Sequence, residues 1–139
     1  MAKDPKVDRL HAAPLFAACD KKELDRLAAA VDTIDVADGK ALLRQGAVNH
    51  EAFIIETGEA EVTIDGNLVA TIPAGEMVGE IGLLTRSPAT ATVTAKGDIS
   101  VLLIPHQRFD AIVSDTPGLA MAIAKELAER LRATDDRLH

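Results

Sequence analysis

The chain has 139 residues, a net charge of −7 and a pI of about 5.0. This length suits one domain with its own core, and the acidic balance argues against nucleic-acid binding through this segment. Only 2% of the residues are aromatic, so a base-stacking surface is not expected and aliphatic side chains must fill the core.

We expect neither a membrane span nor a secretion signal in this sequence. No apolar run approaches the roughly 20 residues that span a bilayer, and the N-terminus lacks an apolar signal core. Cys19 is the only cysteine, so no intrachain disulfide can form. We therefore expect a cytoplasmic protein with no membrane partner.

The first predicted element is a helix from Asp20 to Val31. Residues 1–13 before it are polar and carry few signals. Asp20 can cap the helix, and Glu23 three residues later completes a capping-box pattern. The apolar stripe of this helix consists of Leu24, Leu27, Ala28 and Val31.

From Thr33 to about Ile104 the apolar period changes to two, which is typical of strands. Turn residues divide this region at Asp38-Gly39, Thr57-Gly58, Asp65-Gly66, Pro73 and Lys96-Gly97-Asp98. Asp65-Gly66 is a strong hairpin signal. Many short strands at close spacing indicate a sandwich or barrel. A barrel with a jelly-roll path would have a concave inner face able to hold a small ligand.

Two helices are predicted after Pro105. The first runs from His106 to Ser114, and the second starts at Thr116-Pro117 with Thr as its cap and Pro at the first helical position. The second helix carries an apolar stripe of Leu119, Ile123, Leu127, Leu131 and Leu138. If it is helical throughout, this segment is about 22 residues and roughly 33 Å long.

The segment Gly75-Glu-Met-Val-Gly-Glu-Ile-Gly-Leu-Leu has the most distinctive local chemistry. Its three glycines permit close backbone approach and positive φ. The residues from Gly79 onward indicate one helical turn, whose first N–H groups point toward any anion placed there. Glu80 suits a sugar hydroxyl, because its charge repels a phosphate. Taken alone, the segment is weak evidence, because a strand–turn–strand with a surface loop explains it more simply.

Together with Ala89-Thr-Ala-Thr-Val-Thr-Ala95, this segment resembles the phosphate-binding cassette of the cyclic nucleotide-binding domain family. The resemblance covers about residues 14–138. It implies a mainly β fold with flanking α: a jelly-roll β-barrel with an N-terminal helix, a one-turn phosphate-cassette helix and a long C-terminal helix. It also implies a single domain over residues 1–139, with the barrel at about 33–104 and the C-terminal helices at about 106–138.

Carried over by position, the resemblance implies a site for cyclic AMP or cyclic GMP. Glu80 would accept a hydrogen bond from the ribose 2′-hydroxyl. Thr90 and the backbone of Ala91 would lie at the cyclic phosphate, and Thr134 would contact the adenine amino group. The backbone N–H groups that would meet the phosphate follow Gly79 and belong to Ile81, Gly82 and Leu83.

Ala89 departs from the family pattern, which places an arginine for the cyclic phosphate at this position. Arg86 lies three residues earlier; it could swing into the site as a further ligand or stay a solvated surface charge. Loss of a buried partner for a charge costs about 2–5 kcal/mol, or roughly 1.5–3.5 decades of affinity. We therefore expect weakened or altered cyclic nucleotide affinity.

We predict a regulatory module that is not an enzyme and signals through movement of its C-terminal helix. The four histidines lack metal-ligand spacing, Cys19 has no local basic partner, and we expect no metal and no cofactor. The resemblance and the alanines beside the stripe also predict a parallel homodimer through the last helix, with an unidentified effector. The alternative is a docking or dimerisation module that has lost nucleotide binding. Ala89 favours this alternative, whereas Glu80 and Thr90 favour the regulatory module.

Overall fold

The computed structural model describes the backbone of residues 5–138, and the side chains in this range except those at positions 5, 14, 81, 83, 130, 131 and 133–138. The elements in chain order are helix α1 (Pro5–Ala12), a 3-10 helix (Pro14–Phe16), α2 (Lys21–Ala30), strands β1 (Asp32–Val36), β2 (Ala41–Leu43), β3 (Glu51–Ile64), β4 (Asn67–Ile72) and β5 (Met77–Val78), helix α3 (Glu80–Thr85), strand β6 (Thr92–Pro105), and helices α4 (His106–Asp115) and α5 (Pro117–Leu138).

The six strands that the structure describes form one antiparallel sheet. Its main path is β1-β6-β3-β4, while β2 pairs with β6 and β5 pairs with β3. The two long strands, β3 and β6, pair from Glu51 opposite Pro105 to Thr63 opposite Thr92. Helices precede and follow the sheet, and α3 is inserted between β5 and β6. This is the predicted arrangement of a jelly-roll barrel with flanking helices.

Two predicted strand ends are wrong. The sequence predicts turns at Thr57-Gly58 and at Lys96-Gly97-Asp98, but β3 and β6 run through these positions. The register between the two strands shifts on both sides of Thr57, so the extra residues form a bulge and the strand continues. Gly58 has a φ of +88°, and a Cβ there would lie 2.5 Å from Ile99 Cγ2, which explains the glycine.

Alternate residues of the long strands face two apolar clusters, as the period of two requires. Ala52 and Ile54 of β3 belong to the helix-side cluster, which they share with residues of α1, α2, α4 and α5. Phe53 and Ile55 belong to the inner cluster, which is built from strand residues. The inner cluster borders the pocket, whereas the helix-side cluster joins the sheet to the helices.

The N-terminal segment contains a helix that the sequence analysis did not predict within residues 1–13. α1 buries Val7 and Leu10 in the helix-side cluster, but two buried positions in eight residues make too short a stripe to identify. The capping box predicted for α2 is confirmed. The N–H of Glu23 donates to Asp20 Oδ1 and the N–H of Asp20 donates to Glu23 Oε1, each at 2.9 Å.

α5 begins at Pro117, but the predicted side-chain cap is wrong. Thr116 has φ −131° and ψ 81°, outside the extended conformation of a usual cap. Its hydroxyl is buried without a hydrogen-bond partner among the described residues. The stripe of α5 enters the helix-side cluster through Leu119, Ile123 and Leu127. The side chains of Leu131 and Leu138 lie outside the described part of the chain.

Candidate functional site

A cavity of about 240 Å³ lies between the inner side of the sheet and the segments around α3. The sheet contributes a wall of aliphatic and thioether side chains from Leu43, Val62, Ile72, Met77, Val78 and Val93. The connecting segments contribute Asn49, Gly79, Glu80, Gly82, Pro88, Ala89, Thr90 and Ala91. The cavity thus brings together residues from both parts of the predicted cassette.

Gly79 makes the sharp change of direction between β5 and α3. Its φ of +84° lies in the left-handed region, and a Cβ would lie 3.2 Å from the Glu51 carbonyl oxygen and 3.3 Å from Leu43 Cδ2. Both the conformation and the close approach therefore require glycine. Glu80 follows as the first residue of α3 and is half-buried at the pocket wall.

α3 holds the three residues whose backbone the resemblance assigns to the phosphate. The backbones of Ile81, Gly82 and Leu83 all belong to this helix, and Gly82 lines the cavity. The side chains at 81 and 83 lie outside the described part of the chain. Thr134 lies within the backbone range of α5, but its side chain also falls outside the described part, so its predicted base contact stays a prediction.

The segment after α3 is held by the loop between β2 and β3. The N–H of Ala89 donates to the Ala47 carbonyl at 2.9 Å, and the Ala89 carbonyl accepts from the Gly46 N–H at 2.8 Å. This pairing fixes the backbone at position 89, and its methyl group lines the pocket together with Thr90 and Ala91.

Arg86 is directed to α4. It ends α3 in the left-handed conformation, with a φ of +61°, and its guanidinium pairs with the carboxylate of Asp110. Asp110 Oδ2 also lies 3.8 Å from Nδ1 of His106 one turn earlier. Arg86 is not among the described residues that line the pocket, so its role as a phosphate ligand stays a prediction.

Sequence reasoning missed the residues that form the sheet wall, and it missed Asn49. The alternating pattern shows that Val62 and Val93 share a face with inward neighbours, but it does not say which face holds a ligand. Asn49 donates from Nδ2 to the Ala47 carbonyl at 3.2 Å and lines the cavity. Nothing in its local sequence signals that position.

The described residues contain neither a metal-binding cluster nor a reactive cysteine. No group of three or more His, Cys, Asp or Glu side chains in that part of the chain could hold a metal ion. Burial, with the nearby Glu23 and Asp20 carboxylates, raises the pKa of the Cys19 thiol to about 12, which disfavours the reactive thiolate. None of the described helices is long and apolar enough to cross a membrane.

A family model described as "Cyclic nucleotide-binding domain" matches residues 33–116, more than half of the chain. The chain belongs to the cyclic nucleotide-binding domain family. The match includes the whole sheet except its first residue, together with α3 and α4. This finding confirms the resemblance stated from the cassette.

The comparisons with individual proteins agree with this family. A cAMP-dependent protein kinase regulatory subunit from Yarrowia lipolytica is 33% identical over 102 residues, which are 72% of this chain and 27% of that protein. The N-terminal domain of a transcriptional regulator from Streptomyces coelicolor has a TM-score of 0.84 at 28% identity and covers 95% of this chain and 96% of that chain.

The regulatory domain of Toxoplasma gondii PKA, in a co-crystal with cAMP, has a TM-score of 0.72 at 28% identity and covers 79% of this chain and 44% of that chain. Lysophospholipases also occur among the curated relatives, such as one from Aspergillus terreus of which the chain spans 7%. The chain therefore spans about a quarter or less of the curated relatives it matches.

Proposed function

We propose that this domain is a regulatory module in which a small ligand occupies the pocket and shifts α5. The observation that carries the proposal is the shared cavity: Gly79 and Glu80 on one segment, and Thr90 and Ala91 on another, line the same space. A concave, mostly apolar pocket with a few convergent polar groups is the usual form of a small-molecule site. Neither catalysis nor a bound metal is needed for this role.

The ligand class proposed is cyclic AMP, cyclic GMP or a related small molecule. Glu80 accepts from a sugar hydroxyl. The backbone N–H groups at positions 81–83, with Thr90 and Ala91, surround the phosphate position, and Thr134 contacts the base. The relative that was co-crystallised with cAMP supports this class of ligand.

The affinity for a cyclic nucleotide is weak in this proposal, because Ala89 supplies no positive charge. A buried phosphate without its charged partner loses about 2–5 kcal/mol. The fixed backbone at position 89 prevents a simple shift of register that would bring a neighbouring side chain into its place. The remaining contacts support binding with reduced or altered preference.

α3 provides the connection from the pocket to α5. Its first turn lines the cavity, while Leu84 packs against the helix-side cluster and Arg86 pairs with Asp110 of α4. Phe109 of α4 and Leu119 of α5 belong to that same cluster. A ligand that displaces α3 therefore acts on both C-terminal helices.

An NMR titration with cyclic AMP, cyclic GMP, adenosine and guanosine tests the proposal. We expect amide shifts around positions 79–82 and 89–91 first, and at α4 and α5 as a consequence. Glu80→Ala is the control that should weaken every sugar-containing ligand. If no compound perturbs the pocket amides at millimolar concentration, the regulatory proposal fails.

The second candidate is a docking or dimerisation module without a ligand, for which Ala89 is the favouring observation. α5 exposes Ala120, Met121, Ala124 and Ala128, a surface suited to close helix pairing. A parallel homodimer through this helix is compatible with both candidates. The effector, the cytoplasmic location and the absence of enzymatic activity stay predictions in either case.

A further inference from the structure

We propose that the pocket selects an uncharged ligand of the nucleoside type over the corresponding cyclic monophosphate. The inference rests on the proposed function, because it names the ligand class of the same pocket. It goes further by stating that the pocket disfavours a negatively charged ligand relative to an uncharged one.

The described lining of the pocket offers no side chain that could neutralise a phosphate. Among its described residues Glu80 is the only ionisable one, and none of them is a lysine, arginine or histidine. The opposite wall is aliphatic, so a buried phosphodiester would exchange its hydration for a poorly polar environment. An uncharged ligand avoids both this loss of hydration and the repulsion from the carboxylate.

The nearest cation in sequence already has an anionic partner. The Arg86 guanidinium pairs with Asp110 on α4, and Asp110 also lies 3.8 Å from the His106 ring nitrogen. A phosphate that recruited Arg86 would have to compete with this carboxylate. A nucleoside carries no phosphate and so does not compete with Asp110 for Arg86.

The polar groups of the lining match hydroxyl groups. The Glu80 carboxylate is an acceptor, the Thr90 hydroxyl both donates and accepts, and the Asn49 amide offers both kinds of group. Val62, Ile72 and Val93 supply apolar area for a planar base. The lining therefore recognises a sugar and a base without requiring an anion.

Matched ligand pairs test the inference on the full chain by calorimetric titration. Adenosine and cyclic AMP, or guanosine and cyclic GMP, share the base and the 2′-hydroxyl and differ in the phosphodiester between the 3′ and 5′ positions. We expect at least one nucleoside to bind about tenfold or more tightly than its cyclic monophosphate, a difference of about 1.4 kcal/mol. Higher ionic strength should narrow this gap, because salt screens the repulsion of the phosphate.

Glu80→Gln supplies the second arm, since it removes the charge and keeps the size of the side chain. This substitution should strengthen the binding of the cyclic monophosphate relative to that of the nucleoside. The difference in affinity between the two ligands should therefore become smaller. Equal or tighter binding of both cyclic monophosphates to the parent chain would overturn the inference and leave the proposed function standing. If none of the four compounds binds the folded chain, the proposed function fails, and the inference fails with it.

Discussion

At the scale of single residues, the environment of each side chain decides whether it is available for chemistry. Position 89 has a backbone fixed by two hydrogen bonds and a side chain in the pocket. A substitution there changes the contents of the pocket while the chain path is kept. Cys19 is the opposite case, because the fold buries its side chain and raises the pKa of its thiol, which disfavours the reactive thiolate.

We predict that Cys19 is protected from thiol reagents in the folded protein. Its pKa rises from 9.0 to about 12, so at pH 8 the thiolate fraction falls by roughly two to three powers of ten. Labelling with a chromogenic disulfide should be at least a hundredfold slower than in denaturant. Because the folded pKa is the higher one, the thiol contribution to stability is present below pH 9 and is lost between about pH 9 and 12. Equal labelling rates with and without denaturant would contradict this environment.

At the scale of elements, the start of α5 is coupled to the capping box of α2. A Cβ on Gly118 would lie 2.5 Å from Glu23 Oε2. Glu23 is only 7% exposed and its other oxygen holds the N–H of Asp20. The carboxylate therefore has little room to move, and the two helices share one contact at their N-terminal ends.

Gly118→Ala should lower the free energy of unfolding by about 1–3 kcal/mol, measured by urea denaturation. Alanine favours a helix over glycine by about 1 kcal/mol, but displacing Glu23 costs about 1–3 kcal/mol for overpacking and about 1 kcal/mol for the lost cap. In the Glu23→Ala background the same substitution should be neutral or stabilising. The same loss in both backgrounds would show that the two residues are not coupled.

The elements also show which features local sequence encodes. The capping box of α2 and the period-two pattern of the sheet depend on neighbouring residues, so they could be predicted. A glycine in the sequence is compatible with a bulge within a strand as well as with a turn between two strands. The continuity of β3 and β6 therefore could not be predicted. α1 has too few buried positions to show a period.

The candidate site was predictable only where the cassette residues lie close together in the sequence. Glu80 and Thr90 were predicted from their motif, and both line the pocket. The partner of Arg86 lies 24 residues away on another helix, and such a contact depends on the tertiary arrangement. Asn49 lines the pocket because the loop that carries it passes beside the cavity. A loop has no periodic sequence pattern from which this position could be predicted.

At the scale of the whole molecule, α5 has one side in the helix-side cluster and another side exposed. Leu119 and Ile123 are buried, while Met121 is 59% exposed. The helix is therefore held by the domain along one stripe and presents alanines and a methionine along another. This division leaves an exposed side of α5, which is the side that we propose for pairing with a second copy.

We predict a homodimer at tens of micromolar by sedimentation or light scattering. Met121→Asp should weaken the dimer at least tenfold, because it places a charge within an apolar helix interface. Leu68→Asp is the matched control, since Leu68 is also 59% exposed but lies on β4. A monomeric parent, or equal effects of the two substitutions, would exclude pairing through this side of α5.

The central claim is that the pocket is a nucleotide-type site that lacks the positive charge for the cyclic phosphate. Calorimetric titration of the parent chain and Ala89→Arg with cyclic AMP tests it most directly, with Arg86→Ala as the control for compensation by that arginine. The account predicts that Ala89→Arg gains about 1.5 decades of affinity or more, and that adding Glu80→Ala removes the gain. An Ala89→Arg protein that folds normally and gains no affinity for cyclic AMP would contradict the account.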